Sequence, residues 1–463
     1  MDNVMDELRS KPPTPGEVVP FTFPRFEHFH LSSGLEVYLA SIDRGPLVSL
    51  HLACPGGAWH DSPREAGRAT LAAELMDEGT DDLTAMEIAA RVDSLGGFLS
   101  SQADWNASWL SISLLSRHLA PGLDLLAQLV ERATFPEAEV ERLRLQRLAN
   151  LKTRTSLPSS LAADALARIV YPGTTYEQPA MGTPESMKSL TRRELFDFYR
   201  QHVKPHRSVL ILTGDLDPTA TGSLIERVFG GWSGGEPPSA RPIEVHAQEQ
   251  TTVHIVDRPD AAQTTLRVGH ASIPRTHPDY GALQVLNSLL GGKFTSRINL
   301  NLREKLGITY GASSSFSSRL GPGPFQVAAD VETDGVGIGT QEIIQELHRL
   351  QDELVDEEEL RDTKTYLLGV FPYSLQRIDG LANRLADLGV ASLPDDYFDQ
   401  QLEIVRKIEP EDIRALARQH LHPTRLAIVA VGPADKLQPQ LERFGPISVV
   451  PPDAPARVAE DPD

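Results

Sequence analysis

The chain has 463 residues, of which 40% are apolar and 23% charged, and its formal net charge is −20. That length exceeds one compact domain, and the balance is that of an ordinary globular protein. A surface this acidic disfavours nucleic acid and anionic membranes, which are gripped through Lys and Arg clusters. It suits basic or neutral peptides better.

In chain order, the start MDNVMDELRSKPPTPGEVVP is acidic and then Pro-rich. It lacks the basic and apolar regions of a signal peptide. No window approaches 18 continuous apolar residues, so no membrane helix is expected and the expected location is cytoplasmic. Residues 1–20 read as a disordered arm. GLEVYLASI and PLVSLHLAC read as strands joined by a turn, with the lone Cys54 as a small core residue and no internal disulfide. REAGRATLAAELMDE and AMEIAARVDSLG read as helices, SWLSISLLS as a half-buried strand, and HLAPGLDLLAQLVERA as a further helix. The stretch GGWSGGEPPSARPIEVHAQEQ is rich in Gly, Pro and Ser and reads as a linker over 232–248. Residues 450–463 read as a disordered tail.

The chain repeats itself. Residues 189–215, SLTRRELFDFYRQHVKPHRSVLILTGD, match 407–433, KIEPEDIRALARQHLHPTRLAIVAVGP, without a gap. At an offset of 218, Arg200/Arg418, Gln201/Gln419, His202/His420, Pro205/Pro423, Arg207/Arg425 and Gly214/Gly432 are identical. Each copy reads as an acid-started amphipathic helix, an x-Pro turn and a buried strand. The expected fold is therefore α+β, with two homologous domains over 21–231 and 249–449. Each is expected to be a mainly antiparallel sheet with helices packed on one face.

Several histidines invite a metal reading. His202 and His206 are four apart, but Pro205 breaks the helix between them. His28 and His30 share one face of a strand and read as surface groups. The chain has no G-x-S-x-G, no P-loop and no G-x-G-x-x-G after a strand. The acidic run DELVDEEELRD reads as a solvated helix start.

Two stretches carry a resemblance. GGAWHDSPREAG…MDEGT…LGGFLSS, over 56–101, and LGGKFTSRINLNLREKLGITYGASSSF, from 290, resemble the pitrilysin/insulinase family of zinc peptidases, in its short processing-peptidase-like branch. Such a peptidase carries H-x-x-E-H on a helix, with two His ligands and a Glu base. The five positions here are Thr70, Leu71, Ala72, Ala73 and Glu74. Thr70 is a poor ligand, Glu74 a weak one alone, and Ala73 moves no proton. The family's third ligand, a Glu some 75 residues on, falls by spacing on Ala149, Asn150 or Leu151, with Asn150 its nearest polar match.

The resemblance implies a non-catalytic subunit with no cofactor of its own. Zinc is expected only in a zinc-bearing sister subunit of the same family. Arg303 and Tyr310 match an Arg and a Tyr that contact substrate in the family. Gly291, Gly292, Lys293 and Phe294 resemble the glycine-rich substrate loop of the non-catalytic processing-peptidase subunit. A helix C-cap accounts for those glycines as well. The expected partners are the sister subunit and a peptide, with neither nucleic acid nor membrane. The alternative implied by the family is a scaffold or peptide-binding protein like the core subunits of respiratory complex III.

Overall fold

The computed structural model describes residues 19–451. The expected arm and tail lie outside the described residues, apart from residues 19–20 and 450–451. Two six-stranded sheets carry the fold. The first joins β1 (Glu27–His30), β2 (Glu36–Ser41), β3 (Leu47–Pro55), β4 (Phe98–Ala103), β5 (Ala107–Leu115) and β6 (Val209–Gly214) in the order β1-β2-β6-β3-β5-β4. The second joins β7 (Thr252–Asp257), β8 (Gln263–Ala271), β9 (Thr309–Phe316), β10 (Pro324–Glu332), β11 (Ala427–Gly432) and β12 (Ile447–Val450) in the order β12-β7-β11-β8-β10-β9. Pairing is antiparallel except β2 with β6 and β7 with both β11 and β12. Five strands of each sheet thus follow one topology, β2-β6-β3-β5-β4 and β7-β11-β8-β10-β9, while the outer sixth differs, β1 opening the first half antiparallel to β2 and β12 closing the second parallel to β7.

The repeated strands VLILTG and AIVAVG are buried at every position. A strand buried on both faces needs cover on both, which is why it reads as a continuous apolar run. On the first sheet, Val37, Leu39, Leu210 and Leu212 face helices of their own half. Their neighbours Tyr38, Ala40, Val209 and Ile211 face the other way, against Leu381, Leu385 and Leu388. Those leucines belong to the helix Ile378–Val390, from the second half of the chain, which packs on β6 and β3. The second sheet receives the reverse. The helix Pro158–Val170, from the first half, lays Leu161, Ala165 and Leu166 against Ala427, Val429 and Val431.

Each half therefore lends one helix to the other half's sheet. The one-face packing expected from sequence describes each half's own helices, and the loaned helix covers the opposite face. Gly389 permits close approach, since a Cβ there would lie 2.5 Å from a Val209 methyl. Burying each of the three leucines contributes about 1.5–3 kcal/mol.

Residues 232–248 form no helix or strand. They are nonetheless anchored, with Trp232 and Ile243 both buried, and the Trp59 indole donating to the Arg241 carbonyl at 2.9 Å. Across the halves, the Arg319 guanidinium sits 4.4 Å from both the Trp105 and Tyr176 rings. Cys54 is buried in β3, and burial pushes its thiol up to about 12. No helix among the described residues is long and apolar enough to cross a membrane.

Candidate functional site

Thr70, Ala73 and Glu74 lie on the helix Arg68–Glu74, which is shorter than the sequence suggests and runs into a 3-10 turn at Leu75–Asp77. Gly67 starts it at φ +89°, where a Cβ would collide with the Met181 carbonyl. The buried Asp61 carboxylate caps it, accepting from the Gly67 and Ala69 amides at 3.1 and 3.2 Å. Burial raises Asp61 to about 7, with Arg68 and these amides pulling it down.

The helix face that carries Thr70 and Glu74 meets the long helix Glu137–Arg154. Asn150 is exposed there and faces away, so its assignment by spacing is corrected. The residue that faces the pair is Arg147, only 5% exposed. Its Nη1 donates to Thr70 Oγ1 at 2.9 Å and to the Met181 carbonyl at 3.1 Å, and its Nη2 to Glu74 Oε1 at 2.5 Å. The Thr70 hydroxyl in turn donates to the Gly67 and Ala180 carbonyls. Helical geometry explains the correction. The buried positions of this helix are Val140, Leu143, Arg147 and Leu151, at spacings of three and four, and Asn150 is off that stripe.

Beside this site, His202 Nδ1 donates to the Phe198 carbonyl at 3.1 Å. That leaves its Nε2 to accept from His60 Nδ1 at 3.2 Å. Burial drives His60 down to about 3, with nearby His202, Arg207 and Arg68 adding to it, and drives His202 to about 4. The repeat partner His420 meets Asp279 at 2.8 Å, so both copies serve at a helix end. Among the described residues, His277/Asp279/His420 and His28/His30/Glu36 bring three metal-capable side chains together. In the second group His28 is committed to Glu36 and Asp395 at 2.8 and 2.9 Å.

The second candidate set lies on the other half. Gly291 ends the helix Tyr280–Leu290, and a Cβ there would sit 2.4 Å from the Ser314 amide. Its carbonyl accepts from that amide at 3.0 Å. Packing against β9 thus demands this glycine. Gly292 is similarly tight against Asn287. Lys293 turns inward, donating to Thr363 Oγ1 at 2.8 Å, and burial lowers its pKa. Phe294 is 62% exposed. The Arg303 guanidinium stacks over it, 4.6 Å from the ring centre. Arg303 lies on a π-helical turn, Leu300–Lys305, and Tyr310 on the edge strand β9 is 87% exposed. The structure therefore presents Phe294, Arg303 and Tyr310 outward and turns Gly291 and Lys293 to packing.

Residues 37–184 match the sequence model described as "Insulinase (Peptidase family M16)", and residues 189–367 match "Peptidase M16 inactive domain". Together the two matches span most of the chain.

The chain belongs to the insulinase (M16) family.

A protein of Rickettsia felis described as an uncharacterized zinc protease is 23% identical over 88% of this chain and 98% of its own length. A protein of Helicobacter pylori described as a non-peptidase homolog is 23% identical over 84% of this chain and 90% of its own. Among solved structures, a peptidase M16 inactive domain from Pseudomonas fluorescens superposes with a TM-score of 0.82 at 24% identity, covering 88% of this chain and 98% of that one. A chain of complex III2 from Candida albicans superposes with a TM-score of 0.75 at 14% identity, covering 91% of this chain and 100% of that one. Both show the same fold.

An insulinase-type zinc site needs three protein ligands and an open position for water. The residues here do not fit it. A hydroxyl and one carboxylate remain, and a buried guanidinium bonded to both already supplies the local positive charge.

Proposed function

We propose that the chain is a non-catalytic, peptide-binding subunit of an insulinase-type assembly, and that Arg303 and Tyr310 reach a peptide held at the zinc of a sister subunit. The observation that carries this reading is the contrast between the two sites. The metal positions are closed by an internal ion pair, while Phe294 and Tyr310 stand exposed and Arg303, half-exposed, stacks on Phe294 and pairs with Glu304. An Arg fork suits a peptide carbonyl or carboxylate, and a Tyr hydroxyl can donate to a developing oxyanion.

A place for the peptide backbone supports the same reading. β4 is the outer strand of the first sheet, in contact with the helix that carries Thr70 and Glu74. An outer strand can accept an added strand through its free backbone groups. Phe98, its first residue, and Met86 stand exposed and line one groove.

Affinity purification of the tagged chain from its native cells tests the proposal. The expected result is an equimolar partner of similar size with an intact H-x-x-E-H, and peptide cleavage by the pair but not by this chain. Recovery of the chain alone, or only within a large unrelated assembly, would replace it with the scaffold reading.

A further inference from the structure

A cavity of about 230 Å³ lies where three parts of the chain meet. Val170, at the end of the loaned helix, forms one wall, and the linker and the second sheet form the others. That volume is somewhat below the roughly 300 Å³ at which pockets for drug-sized ligands begin. Its polar lining comprises His246, Gln248, His270, Ser272, His422 and Arg425. None of these belongs to either site described above.

The lining has a definite hydrogen-bonding demand. His270 is 5% exposed, and its Nδ1 lies 2.8 Å from the Ala271 carbonyl. A carbonyl only accepts, so the ring proton is on Nδ1 and Nε2 carries a lone pair. Burial lowers the ring's pKa to about 3 and keeps it neutral, with the nearby Arg425 and neighbouring histidines adding to it. His270 Nε2 is buried with no partner, and so is the carbonyl Oε1 of Gln248. Both are acceptors, and both call for a donor. The buried Ser272 hydroxyl is also unpartnered and can act either way. Arg425 makes the opposite demand. It is half-buried, and among the described residues its guanidinium takes no hydrogen bond and no ion pair, so it is free to hold an anion. The chain's net charge is −20, which makes a partly buried, unpaired arginine the more unusual.

A divalent metal would satisfy the histidine lone pairs but would sit against the arginine's charge. A simple anion would satisfy Arg425 and leave His270 Nε2 and Gln248 Oε1 unmet. One small molecule meets both demands. We infer that this cavity is a binding site for a free α-amino acid, its carboxylate on Arg425 and its ammonium donating to His270 Nε2 and Gln248 Oε1.

Calorimetric titration of the full chain with each of the twenty amino acids tests this. At least one should bind one-to-one with a Kd tighter than about 1 mM. Its deaminated carboxylate should bind about tenfold or more weakly, because two buried acceptors then lose their donor. Arg425→Gln should weaken binding by at least a similar factor. If that variant melts early, Gln248→Leu, on the linker, gives the same readout outside the sheets. The inference is overturned if none of the twenty gives heat at about ten times that concentration. It is equally overturned if acetate or phosphate binds as tightly as the best amino acid, if zinc alone binds there, or if both variants bind as the parent does. None of these outcomes bears on the proposed partner or on Arg303 and Tyr310.

Discussion

The Arg147 guanidinium lies 2.5 Å from the Glu74 carboxylate, across the helix face on which an insulinase-family peptidase holds its metal. A single positive charge, covalently part of the chain, ties together the two helices that zinc would otherwise join. Thr70 completes the arrangement by accepting from the same guanidinium.

Arg147→Ala should cost about 2–4 kcal/mol, since it leaves the partly buried Glu74 carboxylate and the buried Thr70 hydroxyl without their donor. Urea unfolding followed by circular dichroism measures it. Rebuilding the ligand set with Thr70→His, Ala73→Glu, Glu74→His and Arg147→Glu together should add about one equivalent of dialysis-resistant zinc over the parent chain. Equal zinc in both would show that Arg147 does not stand where the metal would.

Arg303→Ala and Tyr310→Phe should each lower peptide turnover by the assembled pair about tenfold to a hundredfold. Assembly should be unchanged, because neither side chain is buried. Arg303→Ala should also loosen Phe294, which loses its stacked cation. Turnover equal to the parent in both variants would remove these residues from the proposed role.

The His60–His202 pair makes the fold acid-sensitive. Both folded values, about 3 and about 4, lie below the ordinary 6.5. Between pH 6.5 and 4 the unfolded chain therefore binds more protons, so the stability these rings contribute is present above pH 6.5 and lost as pH falls. Asp61, raised to about 7, works in the opposite direction, its contribution being lost as pH rises from 3.8 to 7. A comparison of variants separates the two. His60→Asn should reduce the stability lost between pH 7.5 and 5 by roughly 2 kcal/mol, with the Asp61 contribution cancelling. Urea midpoints at the two pH values decide it.

The loaned helices predict that neither half is stable alone. Residues 19–231 and 249–451, expressed separately, should each aggregate or show poor chemical-shift dispersion, and should fold when mixed. Leu385→Ala, at a fully buried position, should cost about 2–5 kcal/mol although it lies in the opposite half from the sheet it covers. A separate half with a cooperative melt near that of the whole chain would contradict this.

Much of this was legible in the residues. The 218-residue repeat is plain because its helix, turn and strand are local patterns, and the continuous runs VLILTG and AIVAVG already announce strands covered on both sides. What covers the second side was not legible, because the leucines of 381–388 look like any amphipathic stripe and name no partner. Arg147 was missed for a related reason. Counting along the chain points to Asn150, whereas a helix presents faces, and the signal is a lone arginine on the stripe Val140, Leu143, Leu151. The motif marks Phe294, Arg303 and Tyr310, but the stacking of Arg303 on Phe294 depends on a π-helical turn that no spacing rule marks. The cavity at His270 and Arg425 draws on three distant segments and leaves no local trace.

The exchange of helices also sets a timetable for synthesis. The first sheet is complete once Gly214 has emerged, yet Val209 and Ile211 stay bare until the helix ending at Val390 is made. At ~5–20 residues per second that interval is roughly 10–35 s. For that time a nascent chain carries an apolar sheet face open to water, and the ribosome-bound first half is a natural client for a chaperone.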